Sequence, residues 1–125
     1  MENFFIEGTD RTPEISFNVK SGVLAISGRS ITENPISFYK KLEEIVLEYG
    51  ENPKPNTSIL VTLEYFNTST SKCLVDLFKL FEPIHAAKSK VLVEWFYEQD
   101  DEEIMDSGED YKDFINIPFE IKLLN

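Results

Sequence analysis

The sequence feature that most constrains the fold is a strand, a polar turn, a helix and a second strand in immediate succession in the middle of the chain. Residues 59–66 are almost all apolar or β-branched, which is typical of a strand covered on both faces. Residues 67–71 are polar, and the apolar residues that follow recur at helical spacing and predict a helix over 70–87. Residues 90–97 form another β run rich in valine and aromatic side chains. The two strands of such a βαβ unit must be parallel and joined by a right-handed crossover.

The chain before this unit predicts antiparallel strands. Residues 4–6 form a short apolar run, and residues 15–19 alternate between apolar and polar side chains, as in a half-buried strand. Ser21-Gly22 is a hairpin-like break, and residues 23–26 are the returning strand.

A first helix is predicted between these strands and the βαβ unit. Asn34 is a good N-cap, Pro35 is tolerated at the first helical position, and Gly50 ends the helix. One stripe of the helix is apolar and comprises Phe38, Tyr39, Leu42, Ile45, Val46 and Tyr49. The charged residues assigned to the water side are Lys40, Lys41, Glu43, Glu44 and Glu48.

The remaining segments complete an α/β fold. Pro83 is expected to kink the second helix or to end its regular part. The acidic residues 100–113 predict a short third helix, and residues 119–123 predict a last strand. The predicted order is β-β-β-α-β-α-β-α-β, a mixed β-sheet with one βαβ unit and about three helices.

Length and charge limit the classes of function. A chain of 125 residues corresponds to a single domain over residues 1–125, and 42% hydrophobic residues are enough for a core. The net charge is 12 − 23 = −11, which argues against nucleic acid or an anionic membrane as a partner. The sequence has no apolar run near 18 residues and no signal-peptide pattern at its start, and its one cysteine is compatible with the reducing cytoplasm. A cytoplasmic location is therefore expected.

The polar turn at residues 67–71 is the most informative segment for function. It follows the carboxyl end of a strand and precedes a helix, where sites form in open α/β sheets and where free N–H groups favour an anion. Ser, Thr and Asn are also normal helix caps. A cap needs only one such side chain, whereas this turn has four hydroxyl groups in a row.

Other chemistry has little support in the sequence. His85 lies about 15 residues from the hydroxyl cluster, or about 20 Å along a helix, too far for a catalytic triad. Cys73 is either a packed apolar residue or a thiol activated by the helix N-terminus. The acidic residues 100–113 lack the ligand pattern of a calcium loop, so they indicate a solvated surface. Glu64 and Glu94 are either ordinary polar residues near the ends of their strands or residues that border the polar turn. No phosphate-binding glycine loop, CxxC or HExxH motif is present, so we expect no cofactor, no metal and no enzymatic activity.

Several matches along the chain resemble one family of bacterial proteins. Near the start they are Gly8-Thr9 with Thr12-Pro13, and before the first helix they are Gly28 and Ser30 with Glu33-Asn34. The central turn contributes Tyr65-Phe66-Asn67-Thr68-Ser69. The last matches are residues 91–97 with the acidic segment that follows them, and Pro118-Phe119. In their order and spacing they resemble the SiaC family of regulatory phosphoproteins.

The resemblance implies a fold similar to the STAS domains of anti-sigma-factor antagonists. It also implies a partner switch in which a protein kinase phosphorylates one threonine and a PP2C-type phosphatase removes the phosphate. The unphosphorylated form would bind and activate a diguanylate cyclase. The phosphorylated position of the family falls on Thr68, and its neighbours Ser69 and Thr70 are further hydroxyl groups.

A partner-binding surface is expected around Thr68, because a phosphate there would add about −1.5 to −2 charges inside the interface. The residues assigned to this surface are Asn67, Ser69, Thr70, Ser71, Lys72, Asp76 and Lys79. Two alternatives remain open at this point. One is a small STAS-like module that binds an anion or another small ligand at the turn, and the other is a small enzyme with an acidic metal site.

Overall fold

The structure is a computed structural model that describes residues 2–124. Its elements follow the predicted order. They are β1 (Phe4–Ile6), β2 (Glu14–Asn18), β3 (Val23–Ser30), α1 (Pro35–Tyr49), β4 (Asn56–Phe66), α2 (Thr68–Ala87), β5 (Lys90–Tyr97), α3 (Glu102–Phe114) and β6 (Phe119–Leu123). The predicted mixed α/β fold is thereby confirmed.

The six strands form one sheet in which their spatial order equals their order along the chain. The strands β1, β2 and β3 pair antiparallel, whereas β3, β4, β5 and β6 are all parallel. The predicted βαβ unit is present, with Ile59 opposite Val93 and Val61 opposite Trp95. The carboxyl ends of the four parallel strands therefore lie along one edge of the sheet.

The three helices cover the same face of the sheet. Tyr49 of α1 packs on Phe17 at a ring-centroid distance of 5.0 Å, and Phe78 of α2 and Tyr111 of α3 pack on Trp95 at 6.5 and 5.3 Å. Each connection between parallel strands has the same hand and leads to the next strand on the same side of the sheet. Such connections place all their helices on one face. Because each helix directly follows one of the parallel strands β3, β4 and β5, the amino ends of all three helices lie at the carboxyl edge of these strands.

The prediction that residues 59–66 are covered on both faces is wrong. Ile59 and Val61 are completely buried beneath the helices, but the alternating side chains Leu60 and Thr62, which point to the other face, are only half-buried. No described helix lies over that face. The apolar run reflects cross-strand packing with half-buried neighbours such as Ala25 on β3.

A bulge changes the direction of side chains at the end of β4. The register between β3 and β4 shifts after Gly28, whose φ of +102° suits glycine, and Glu64 is left without a partner on β3. The alternation is thereby inverted, so that Tyr65 is exposed and Phe66 packs edge-on against Trp95 at 6.0 Å. The bulge thus sets the direction from which the chain enters the following turn.

Two helices are longer than the sequence indicates. Helix α2 begins at Thr68 and does not end at Pro83. Pro83 and the residue one turn earlier, Lys79, both lie on the exposed side, where water can solvate the carbonyl that the proline leaves without a donor. Helix α3 has 13 residues because Asp101 caps it by accepting the N–H of Ile104 at 3.1 Å. None of the helices between residues 2 and 124 combines the length and apolar character needed to cross a membrane.

Candidate functional site

Asn67 fixes the turn that joins β4 to α2. Its side-chain oxygen accepts the N–H of Thr70 at 2.9 Å and the hydroxyl of Ser69 at 3.3 Å. Its amide nitrogen donates to the carbonyl of Thr32 at 3.3 Å, and its backbone N–H donates to the carbonyl of Ser30 at 3.1 Å. Asn67 is therefore the helix cap, and it also ties the start of α2 to the end of β3.

The four hydroxyl groups that follow Asn67 lie in different environments. Thr68 and Ser69 are exposed, and the Thr68 hydroxyl has no hydrogen-bond partner among the described residues. Thr70 is fully buried. Ser71 is half-buried and shares a short hydrogen bond with the hydroxyl of Tyr111 on α3. Of these four hydroxyl groups, only those of Thr68 and Ser69 are on exposed residues and open to a modifying enzyme.

A buried chain of hydroxyl groups supports the turn from below. Thr70 donates to the carbonyl of Ser30 at 3.1 Å, and 2.9 Å separates its hydroxyl from that of Ser30. The Ser30 hydroxyl lies 2.9 Å from the hydroxyl of Tyr39. Because each hydroxyl has one proton, Ser30 donates to Thr70 and Tyr39 donates to Ser30. Burial raises the pKa of Tyr39 to about 12, which keeps it in the donating form.

The start of α2 is an electrostatically favourable place for a negative group. The first backbone N–H groups of a helix have no acceptor within the helix, and the helix dipole is positive at this end. Thr68 occupies the first helical position, so a group on its hydroxyl lies at that end. Lys72 follows one turn later on the exposed surface and adds a cation on the same side.

The residues assigned from sequence to a partner surface do not all reach solvent. Ser69, Lys72, Asp76 and Lys79 are exposed, and all but Lys79 line a cleft between α1 and α2. Asn67 and Ser71 are half-buried and hold the turn. Thr70 is the exception, since its completely buried side chain supports the turn and offers no surface to a partner. Thr68 and Thr70 are the first and third residues of α2, and the turn of the helix between them leaves Thr68 exposed and directs Thr70 to the core.

Sequence reasoning missed three residues near the turn. Ser30 and Tyr39 form the hydroxyl chain, and Glu43, which was assigned to the water side of α1, is half-buried in the α1–α2 cleft. Two signals are available in the sequence. Ser30 takes an inward position of an apolar strand, and Tyr39 lies within the apolar stripe of α1. Neither becomes informative until α1 and α2 are known to be neighbours.

The structure does not favour a nucleophilic role for Cys73. The thiol is 6% exposed on α2. Burial, followed by the nearby carboxylates of Glu43 and Asp76, raises its pKa despite the helix N-terminus. Cys73 is therefore a packed, protonated residue.

The other chemical candidates have structural roles or lie apart from the turn. His85 accepts the N–H of Val91 on its Nδ1 at 3.1 Å and so joins the end of α2 to β5. Glu94 pairs with Lys122 at 2.9 Å on the uncovered face of the sheet, while Glu64 is exposed in the bulge. Within residues 2–124, no three His, Cys, Asp or Glu side chains are grouped so that they could hold a metal ion.

Fold and site together define an α/β domain with an exposed threonine hydroxyl at the start of a helix, at the carboxyl edge of its parallel strands. The sequence model of the SiaC family regulatory phosphoproteins matches residues 6–124. The chain belongs to this family. An uncharacterized protein of Pseudomonas aeruginosa strain UCBPP-PA14 is 26% identical over 122 residues, which cover 98% of this chain and 97% of that protein.

Two solved structures have the same fold over nearly the whole chain. SiaC of Pseudomonas aeruginosa matches with a TM-score of 0.89 and 26% identity, covering 99% of this chain and 100% of that one. A chain in the crystal structure of the diguanylate cyclase SiaD in complex with its activator SiaC matches with a TM-score of 0.90 and 26% identity, covering 97% and 99%. These findings connect the fold to signal transduction by cyclic di-GMP.

Proposed function

We propose that this protein is a non-enzymatic activator that binds a diguanylate cyclase and is switched by phosphorylation of Thr68. Membership of a regulatory phosphoprotein family supports the regulatory role, and the complex of SiaD with its activator SiaC supports a cyclase as the partner. The observation that carries the proposal is the exposed Thr68 hydroxyl at the first position of α2, beside a threonine that is fully buried. A protein kinase adds the phosphate, and a PP2C-type phosphatase removes it.

The geometry explains how such a switch works without unfolding. The Thr68 hydroxyl already faces solvent, so the kinase needs no local opening. The phosphate dianion is stabilised by the helix N-terminus and by Lys72 one turn away. In an interface the same dianion must be desolvated, which typically costs several kcal/mol when no partner charge compensates it. About 3 kcal/mol weakens binding by roughly 100-fold. ATP and cyclases act in the cytoplasm, which is the proposed location.

The first experiment identifies the phosphorylated residue. The protein is incubated with its cognate kinase and Mg-ATP and analysed by mass spectrometry. We expect one phosphate on Thr68, no phosphate on Thr68→Ala, and unchanged labelling of the controls Thr70→Ala and Ser71→Ala. Undiminished labelling of Thr68→Ala would move the phosphorylation site to another residue, with Ser69 as the next exposed hydroxyl.

The second experiment measures the effect of the phosphate on the partner. Calorimetry compares the unphosphorylated protein, the phosphorylated protein and Thr68→Ala against the diguanylate cyclase encoded in the same genome. Thr68→Ala should bind like the unphosphorylated protein, because one lost hydroxyl leaves the other contacts in place. Thr68→Glu should bind poorly. Equal affinity of the phosphorylated and unphosphorylated forms would refute blocking of the interface.

A further inference from the structure

The cleft between α1 and α2 opens directly beside the Thr68 turn. It has a volume of about 320 Å³ and lies between the amino-terminal halves of the two helices. Its main lining residues are Ile36, Tyr39 and Glu43 from α1 and Ser69, Cys73 and Asp76 from α2. Ser69 belongs to both the cleft and the turn, so a partner that contacts the turn also meets the mouth of this cleft.

Glu43 and Asp76 both line this cleft, and neither carboxylate has an ion pair among the described residues. No Lys, Arg or His nitrogen of the described residues lies within 4.0 Å of either carboxylate. Partial burial, and next the charge of Asp76, raises the pKa of Glu43. Lys72 lines the same cleft on its exposed side, and its ammonium group forms no ion pair within 4.0 Å among the described residues. Two neighbouring carboxylates, of half-buried Glu43 and exposed Asp76, form a favourable environment for an incoming cation.

An exposed apolar side chain stands at the rim of the same cleft. Ile36 is 74% exposed, more than any other large hydrophobic residue in the described part of the chain. It lies in the first turn of α1, close to the turn that carries Thr68. A cleft lined by an exposed apolar side chain and by two carboxylates fits a long side chain with an apolar stem and a cationic head.

We propose that the α1–α2 cleft receives a Lys or Arg side chain from an amphipathic helix of the effector. The stem of this side chain packs on Ile36, and its charged head lies between Glu43 and Asp76. A helix suits the groove between two neighbouring helices, because its apolar residues at helical spacing follow the groove. This inference rests on the proposed function and specifies the surface and the chemistry of the partner.

The test measures the affinity of unphosphorylated full-length variants for the full-length diguanylate cyclase encoded in the same genome. Glu43→Gln and Asp76→Asn should each weaken binding about tenfold, because each removes one of two carboxylates from a buried cation. Ile36→Ser should weaken binding about tenfold through loss of the apolar rim. Asp76→Lys should weaken it more than 100-fold. Matched controls are Glu14→Gln and Phe5→Ser, exposed residues of β2 and β1 on the face of the sheet that the helices leave uncovered, which should leave affinity unchanged.

The outcomes separate this inference from the proposed function. If phosphorylation abolishes binding while all four cleft variants bind like the wild type, the cleft is not the docking site and the switch still stands. If the unphosphorylated wild type does not bind the cyclase, the proposed function and the cleft proposal both fail. If the control variants weaken binding as much as the cleft variants, the interface lies elsewhere. Circular dichroism of each variant confirms that a loss of affinity is not a loss of fold.

Discussion

Thr70 has a structural role that its position in a row of hydroxyl groups conceals. Its side chain joins α2 to β3 through the carbonyl and the hydroxyl of Ser30. The Ser30 carbonyl also accepts the N–H of Asn67. If Thr70 loses its hydroxyl, the carbonyl therefore keeps one donor, but the buried hydroxyl of Ser30 loses its acceptor, so two hydrogen bonds are lost and one buried donor is left without a partner.

The first prediction follows from the buried donor that this loss leaves without a partner. Thr70→Val keeps the shape of the side chain and should lower the free energy of unfolding by about 2 kcal/mol. Ser69→Ala, at the exposed neighbour, should change it by less than about 0.5 kcal/mol. Urea denaturation measures both values. A Thr70→Val variant as stable as the wild type would mean that the buried hydroxyl chain contributes nothing to stability.

The second prediction concerns the pH dependence caused by Tyr39. The pKa of Tyr39 is raised from 10.0 to about 12 in the folded protein, chiefly by burial, so the unfolded chain loses the proton first. The contribution of Tyr39 to stability is complete below pH 10 and is lost as the pH rises toward 12. The loss amounts to about 2.7 kcal/mol at most.

Tyr39→Phe tests this assignment. The variant should lose less stability than the wild type between pH 10 and pH 12, whereas Tyr65→Phe, an exposed tyrosine, should behave like the wild type. Chemical denaturation at a series of pH values provides the measurement. Parallel curves for the wild type and Tyr39→Phe would contradict the proposed role of Tyr39.

At the scale of the elements, α1 is held at both ends by a tyrosine hydroxyl. Tyr39 reaches Ser30 near its start, and Tyr49 at its end lies 2.8 Å from the hydroxyl of Thr57, which is 2.8 Å from that of Ser89. These bonds join α1 to the carboxyl end of β3 and to the amino end of the neighbouring strand β4. They fix the position of α1 along α2, and with it the width of the cleft between them.

Helix α3 depends on a close approach of its backbone to Trp95. A Cβ at Gly108 would lie 2.7 Å from Trp95 Nε1, and this indole also donates to the carbonyl of Ile104 at 2.8 Å. Because Trp95 is completely buried, it has no space into which it can move. Only glycine at position 108 allows this packing.

The third prediction is that Gly108→Ala destabilises the fold although alanine favours helices. The steric overlap should cost about 2 kcal/mol, more than the roughly 1 kcal/mol that alanine adds to helix propensity. Ser107→Ala, one residue earlier, should be nearly neutral. Thermal and urea denaturation of both variants provide the comparison. Stabilisation by Gly108→Ala would show that α3 can shift away from Trp95.

The order of the elements could be predicted from sequence because each one carries its own local signal. The alternation in β2 and the Asn34-Pro35 start of α1 are properties of neighbouring residues. The uncovered face of β4 and the burial of Thr70 could not be predicted in this way. They depend on which face the helices occupy and on how the β4 bulge directs the chain into α2. The half-buried position of Glu43 likewise depends on a neighbouring helix.

At the scale of the whole molecule, a net charge of −11 attracts a basic partner over long distances. A phosphate would make the charge about −13. That change would increase long-range attraction to a basic surface and cannot by itself explain loss of binding. The proposed switch must therefore act after the two proteins have met, through contacts at the turn.

The fourth prediction separates these two effects kinetically. Association of the unphosphorylated protein with the cyclase should slow about tenfold between 20 and 300 mM NaCl, because salt screens the attraction. Phosphorylation should raise the dissociation rate and leave the association rate nearly unchanged. Surface plasmon resonance measures both rates. An association rate that increases with salt would indicate an acidic effector surface and contradict the basic partner.

The parallel sheet has a practical consequence for tethering. Strand β1 starts at the edge opposite the Thr68 turn, whereas β6 ends at the same edge as the turn, where the N–H of Leu124 reaches the carbonyl of Tyr97. A bulky carrier attached after Leu124 therefore stands beside the proposed docking surface and competes for its space. A carrier attached ahead of β1 extends from the far end and leaves that surface accessible, so immobilisation through the amino-terminal side is the orientation in which capture of the effector should succeed.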